Sequence, residues 1–106
     1  MQMGKCVLSR SIASSAEKAA DFLTILGNAK RLMILHHLLQ GEMPVNAIAE
    51  RVGLSQSALS QHLAKLRSHG LVETRRDKQM IYYSCDSDAV RRIMATLSDI
   101  FETSAL

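Results

Sequence analysis

A mainly helical domain with one β-hairpin, in the order α-α-α-α-β-β-α, is the fold class this sequence predicts, and three observations predict it. Apolar residues recur at helical spacing in five windows, each begun or ended by a capping side chain, a glycine or a proline. Two of these windows are short and are separated only by Gly53-Leu54. Two runs rich in β-branched and aromatic residues, 71–76 and 80–84, are joined by the polar Asp77-Lys78-Gln79.

Residues 1–14 show no periodicity and are expected to form a flexible tail, leaving 15–106 as the domain. Ser14 or Ser15 is placed to cap a first helix, on which Ala19, Phe22, Leu23 and Leu26 follow i, i+3, i+4, i+7 spacing. Gly27-Asn28 stops that helix and starts a second, apolar over a wide arc through Leu32, Ile34, Leu35, Leu38 and Leu39 and ended by Gly41. Pro44 precedes a short third helix over about 46–52, with Ile48, Ala49 and Val52 inward. Ser55 caps a fourth helix that runs to about Ser68 and stops at Gly70. Ser87 caps the last helix, whose stripe is Val90, Ile93, Met94, Leu97, Ile100 and Phe101. Little chain remains to cover that stripe. Pairing it with Phe22 and Leu23 across two copies would bury both, so a homodimer through the first and last helices is expected.

The totals narrow the function classes. A chain of 106 residues holds one domain. Its net charge of +3 permits a nucleic-acid partner without requiring one. Two cysteines are too few for a disulfide scaffold, and no C-x-x-C is present to build a zinc ribbon. No apolar run is long enough to span a membrane or to serve as a signal peptide, which makes the cytoplasm the expected compartment. Ser60 and His62 are near neighbours pointing different ways on one helix. No nucleophile elbow, phosphate loop or paired-acid motif appears, so an enzyme is not expected.

The stretch that carries chemistry is VNAIAERVGLSQSALSQHLAKL, residues 45–66. Ala49 lets two helices approach, and Gly53 supplies the positive φ of a tight turn. Leu59, Leu63 and Leu66 face the core, while Gln56, Ser57, Ser60, Gln61 and Lys65 face away. A purely solvated helix face usually carries more Glu and Lys. This one is rich in short donors and acceptors: Gln pairs with adenine edges, Ser reaches several base edges, and Lys suits phosphate or guanine. Ser55 opens a helix N-terminus that can approach a backbone phosphate. Arg75, Arg76 and Lys78 cluster on the hairpin. Alone they would read as a solubilising turn, but beside this helix they read as contacts to phosphates or to an adjacent minor groove. The alternative, a winged helix that binds protein, would want an acidic or apolar outer face.

The run LSQSALSQHLAKLRSHGLV, followed by TRRDKQMIYYS and preceded by NAKRLMILHHLL, strongly resembles the ArsR/SmtB type of bacterial winged helix-turn-helix regulators over about residues 16–102. Within it, the sequence is most similar to the branch of the rhizobial nodulation regulator and the sulfur-responsive biofilm and haemolysin regulators. The resemblance implies a homodimer on a near-palindromic promoter site, mostly as a repressor that obstructs polymerase.

Some family members sense metals, but the ligands they use are missing here. The helix over 46–52 has no C-x-C pair. Asp88 and Asp99 lie on the last helix, yet residues 86–106 contain no histidine, so no metal or other cofactor is expected. The paired cysteines of the sulfur-responsive members correspond to His36 and to a position near Glu102, which removes that dithiol. Cys6 and Cys85 are a candidate redox pair, against the plainer reading of two reduced thiols. His36 and His37 diverge by about 100° on a helix and chelate one ion poorly. His62 is expected half-buried and hydrogen-bonded, and His69 favoured by the helix C-terminus.

Overall fold

The computed structural model describes residues 15–101. Helix α1 covers 15–26 of them, and α2 (Ala29–Gln40), β1 (Met43–Pro44), α3 (Val45–Val52), α4 (Gln56–Ser68), β2 (Glu73–Asp77), β3 (Met80–Ser84) and α5 (Asp88–Phe101) follow. The five helices stand where the sequence predicts them, with α3 beginning one residue earlier. The tail over 1–14, Ser14 and Cys6 included, lies outside the described residues, and Ser15 is already helical.

Local chemistry sets the helix ends. Asn28 is extended, and its Oδ1 accepts the Arg31 N–H at 3.1 Å, starting α2. Gly53 ends α3 in the left-handed region at φ 71, where its N–H and that of Leu54 both reach the Ala49 carbonyl at 2.9 and 3.0 Å. A β-carbon there would be strained, which is why glycine occupies this position. Ser55 Oγ accepts the Ala58 N–H at 3.2 Å and Ser87 Oγ the Val90 N–H at 3.1 Å, so these two of the predicted serine caps form.

The core joins Ile34, Leu35 and Leu38 of α2 to Ile48 and Val52 of α3 and to Leu59, Leu63 and Leu66 of α4, with Val90 and Met94 of α5 closing it. These side chains are almost fully shielded from water, each worth about 1.5–3 kcal/mol of transfer free energy. Helix α1 touches the core through its last turn: Ile25 and Leu26 are buried, while Leu23 stays 61% exposed.

Three points depart from expectation. The hairpin ladder begins at Glu73↔Ser84 rather than at residue 71, because Leu71 and Val72 are spent as buried anchors ahead of the strand. The connection is Lys78-Gln79, since Asp77↔Met80 forms the last rung, and Lys78 makes the turn at φ 60. A third strand exists: β1 pairs with β3 as Met43↔Tyr83 and Pro44↔Tyr82, giving the order β1-β3-β2. Two residues, one of them proline, carry no strand pattern, and proline is tolerated here because β1 lies at the sheet edge.

Candidate nucleic-acid interface

Helix α4 separates its residues cleanly. Leu59, Leu63 and Leu66 are buried to 1% or less, while Gln56, Ser57, Ser60, Gln61 and Lys65 are all exposed. Its first turn holds no acidic residue, so the positive end of the helix dipole is uncompensated beside exposed Ser55 and Ser57, whose hydroxyl oxygens lie 3.3 Å apart. The five predicted DNA-facing side chains thus share one wet surface.

Two contacts fix α3 and α4 against α2. Lys30 Nζ on α2 donates to the Val52 carbonyl at 2.6 Å, placing a cation on the C-terminus of α3 just ahead of the Gly53 turn. Arg31 Nε donates to Nδ1 of His62 on α4 at 3.2 Å, and its Nη1 to the Ile25 carbonyl at 3.2 Å. His62 is therefore half-buried and hydrogen-bonded, as the sequence predicts. Burial, then the charges of Arg31 and Lys65, hold its pKa below the ordinary histidine value. The spacing predicts a polar partner for His62 but gives no sign that it is Arg31, 31 positions away, nor that Lys30 caps α3.

The hairpin cations divide. Arg75 forms a forked pair with Glu42, Nε to Oε2 at 3.2 Å and Nη2 to Oε1 at 2.5 Å, and its guanidinium lies 4.8 Å from the centre of the Tyr82 ring. The hydrogen bond from Arg75 holds the Glu42 carboxyl below its usual range. Arg75 thus straps β2 across the sheet to the residue before β1, and its fork is filled. Arg76 and Lys78 remain exposed at the tip, with Arg76 Nη1 donating to the Lys78 carbonyl at 3.4 Å. Between sheet and helix runs an open groove lined by Ser60, Ala64, Arg67, Ser68 and Tyr83. Arg67 and Tyr83 were not among the predicted site residues, although Ser60, Ala64, Arg67 and Ser68 share one helical stripe.

The stripe predicted for a partner copy is narrower than its sequence. Val90 and Met94, at 0% and 6% exposure, belong to the protomer's own core and offer little to a partner. Ile100 and Phe101 stand 62% and 65% exposed, Leu23 is exposed to a similar degree, and Phe22, Ile93 and Leu97 are half-buried.

Among the described residues no three His, Cys, Asp or Glu side chains converge as a metal site. The His36 and His37 rings are 5.4 Å apart at 62°, and His36 Nε2 lies 3.0 Å from the Gln40 side-chain nitrogen. Cys85 is buried, and burial pushes its thiol pKa up, the opposite of a reactive cysteine. Glu102, like Cys6, is outside the described residues. No described helix is long and apolar enough to cross a membrane.

Residues 28–74 match the model of the bacterial regulatory protein family arsR. The nodulation protein NolR of Rhizobium meliloti is 62% identical over 86 residues, 81% of this chain and 70% of that protein. The chain belongs to the ArsR family of bacterial regulatory proteins. The regulator YgaV of Escherichia coli is 42% identical over 85% of this chain and 92% of its own. Among solved structures, NolR from Sinorhizobium fredii superimposes with a TM-score of 0.84 at 54% identity, over 89% of this chain and 94% of that one. The homodimeric winged helix-turn-helix DNA-binding domain of Mb0332 from Mycobacterium bovis does so with 0.73 at 35% identity, over 86% and 84%. This ArsR-family chain is a winged helix-turn-helix transcriptional regulator and not an enzyme: α3 and α4 form the helix-turn-helix, and β2–β3 the wing.

Proposed function

We propose that the chain acts in the cytoplasm as a homodimeric repressor of a near-palindromic promoter site. The observation that carries the reading is the α4 surface, where Gln56, Ser57, Ser60, Gln61 and Lys65 are exposed opposite a fully buried leucine face. Two such helices enter successive major grooves about 34–36 Å apart. Gln and Ser discriminate bases, while Ser55, Lys65, Arg76 and Lys78 meet phosphates. Arg75 serves chiefly to hold the wing in place through Glu42. The second copy is held by Leu23, Ile100 and Phe101 with Phe22, Ile93 and Leu97. Repression follows the nodulation and biofilm branch, whose Xylella fastidiosa member is a biofilm growth-associated repressor 35% identical to this chain. With Cys85 buried, occupancy set by the regulator's own concentration is favoured over a Cys6–Cys85 switch.

Selection of bound sites from a random duplex library, then titration of the winner against scrambled DNA at about 0.15 M salt, tests this. A two-fold-symmetric winner bound about a thousand-fold more tightly than scramble is expected. No enrichment would overturn it.

A further inference from the structure

We propose that the groove between α4 and β3 seats one backbone phosphate of the bound duplex, gripped by Arg67 against the Tyr83 wall. The proposal rests on the reading of α4 as the recognition helix. The groove is open, with a volume of about 480 Å³, and is lined by Ser60, Ala64, Arg67, Ser68 and Tyr83. Positions 60, 64, 67 and 68 form one stripe along α4, and Tyr83, on the central strand, supplies the opposite wall.

The stripe starts within the base-facing set at Ser60 and runs away from the helix N-terminus. A recognition helix enters the major groove with its N-terminal residues foremost. Arg67 lies seven residues beyond Ser60, about 10 Å along the axis at a rise of about 1.5 Å per residue. The major groove is about 12 Å wide, so that distance leads from its floor to its phosphate wall on the side of the wing.

The lining suits an anion. Arg67 is exposed and forms no ion pair with the described residues, whereas Arg75, Arg91 and Arg92 each face a carboxylate. Of three other grooves that include an arginine, two include an acid, Asp21 with Arg31 and Lys65, and Glu42 with Arg51, and in the third Arg92 faces Asp88 from outside the lining. The α4–β3 groove includes none. Ser68 contributes a wall rather than a donor, because its hydroxyl already donates to the Lys65 carbonyl at 2.9 Å. Tyr83 lines the wall opposite Arg67, whose guanidinium is suited to two phosphate oxygens. The methyl of Ala64 leaves the space between them free.

The test uses the selected operator with one phosphate at a time replaced by a neutral methylphosphonate. For the unaltered dimer, one phosphate per half-site beside the wing should cost about tenfold in affinity, the scale of a charge-assisted hydrogen bond. In Arg67→Ala that phosphate should become indifferent while all others keep their effect. Arg67→Lys should retain part of the sensitivity. Ala64→Met, which fills the groove without changing charge, should abolish it as Arg67→Ala does. If every phosphate keeps its original effect in a folded Arg67→Ala protein, the groove is no phosphate seat, although DNA recognition stands. If the unaltered protein enriches no operator, the recognition reading falls and this inference with it.

Discussion

Arg31 on α2 and His62 on α4 are joined by a 3.2 Å hydrogen bond, Nε donating to Nδ1. Because arginine only donates, Nδ1 must keep its lone pair, so the imidazole is neutral with its proton on Nε2. The same guanidinium binds the Ile25 carbonyl, so one side chain ties the end of α1 and the middle of α4 to α2.

Acid should therefore loosen the fold. The pKa of His62 lies below its ordinary 6.5 in the folded chain, so the unfolded chain takes up the proton first. The stability this confers is complete above 6.5 and is lost as pH falls from there through the folded value. His37, lowered by burial and by His36 and Arg51, acts in the same direction. Thermal midpoints should drop between about pH 7.5 and about pH 5.5, either side of the ordinary histidine pKa. His62→Gln, which can still accept from Arg31, should flatten that dependence; a variant as acid-sensitive as the parent would refute the role given to His62.

The turn of the helix-turn-helix should be sensitive to two substitutions. Gly53→Ala places a β-carbon at φ 71 and should cost about 1–2 kcal/mol. Lys30→Met leaves the Val52 carbonyl without its cation and should cost a similar amount, about 1–2 kcal/mol. Urea midpoints report both, and an unchanged midpoint for Lys30→Met would mean that water replaces the ammonium without penalty.

On DNA, Gln61→Ala should weaken binding to the selected operator more than to scramble, since a base contact carries sequence information. Lys65→Ala and Arg76→Ala should weaken both and lower the salt slope by about 1 for each phosphate no longer neutralised. Arg75→Gln should affect the salt slope less than Arg76→Gln, because the Arg75 fork is occupied by Glu42. Equal effects of the Gln61, Lys65 and Arg76 substitutions on both duplexes would remove base reading from Gln61.

Phe101→Asp and Ile100→Asp place charge on side chains that the protomer leaves in water. Sedimentation should give folded monomers at concentrations where the parent is dimeric. A dimer unchanged by both would move the interface elsewhere.

The parent, like Cys85→Ser, should bind operator equally in oxidant and reductant, as expected of a buried thiol whose pKa is raised. A redox difference in the parent that vanishes in this variant would restore the pairing with Cys6.

The sequence by itself determined the five helices, the Ser55 and Ser87 caps, the glycine at the α3–α4 turn and the polar face of α4. Each is written in residues close together along the chain, whether as a 3.6-residue period, a cap three residues from its N–H, or a glycine where φ must be positive. Tertiary structure alone decided that Met43–Pro44 joins the sheet, that Arg75 spends its charge on Glu42, that Arg31 meets His62, and that Val90 and Met94 turn inward while Ile100 and Phe101 remain in water. The two side-chain pairings join positions 31 and 33 apart. Periodicity marks which side of an element is apolar, but what that side meets depends on where the other elements come to rest.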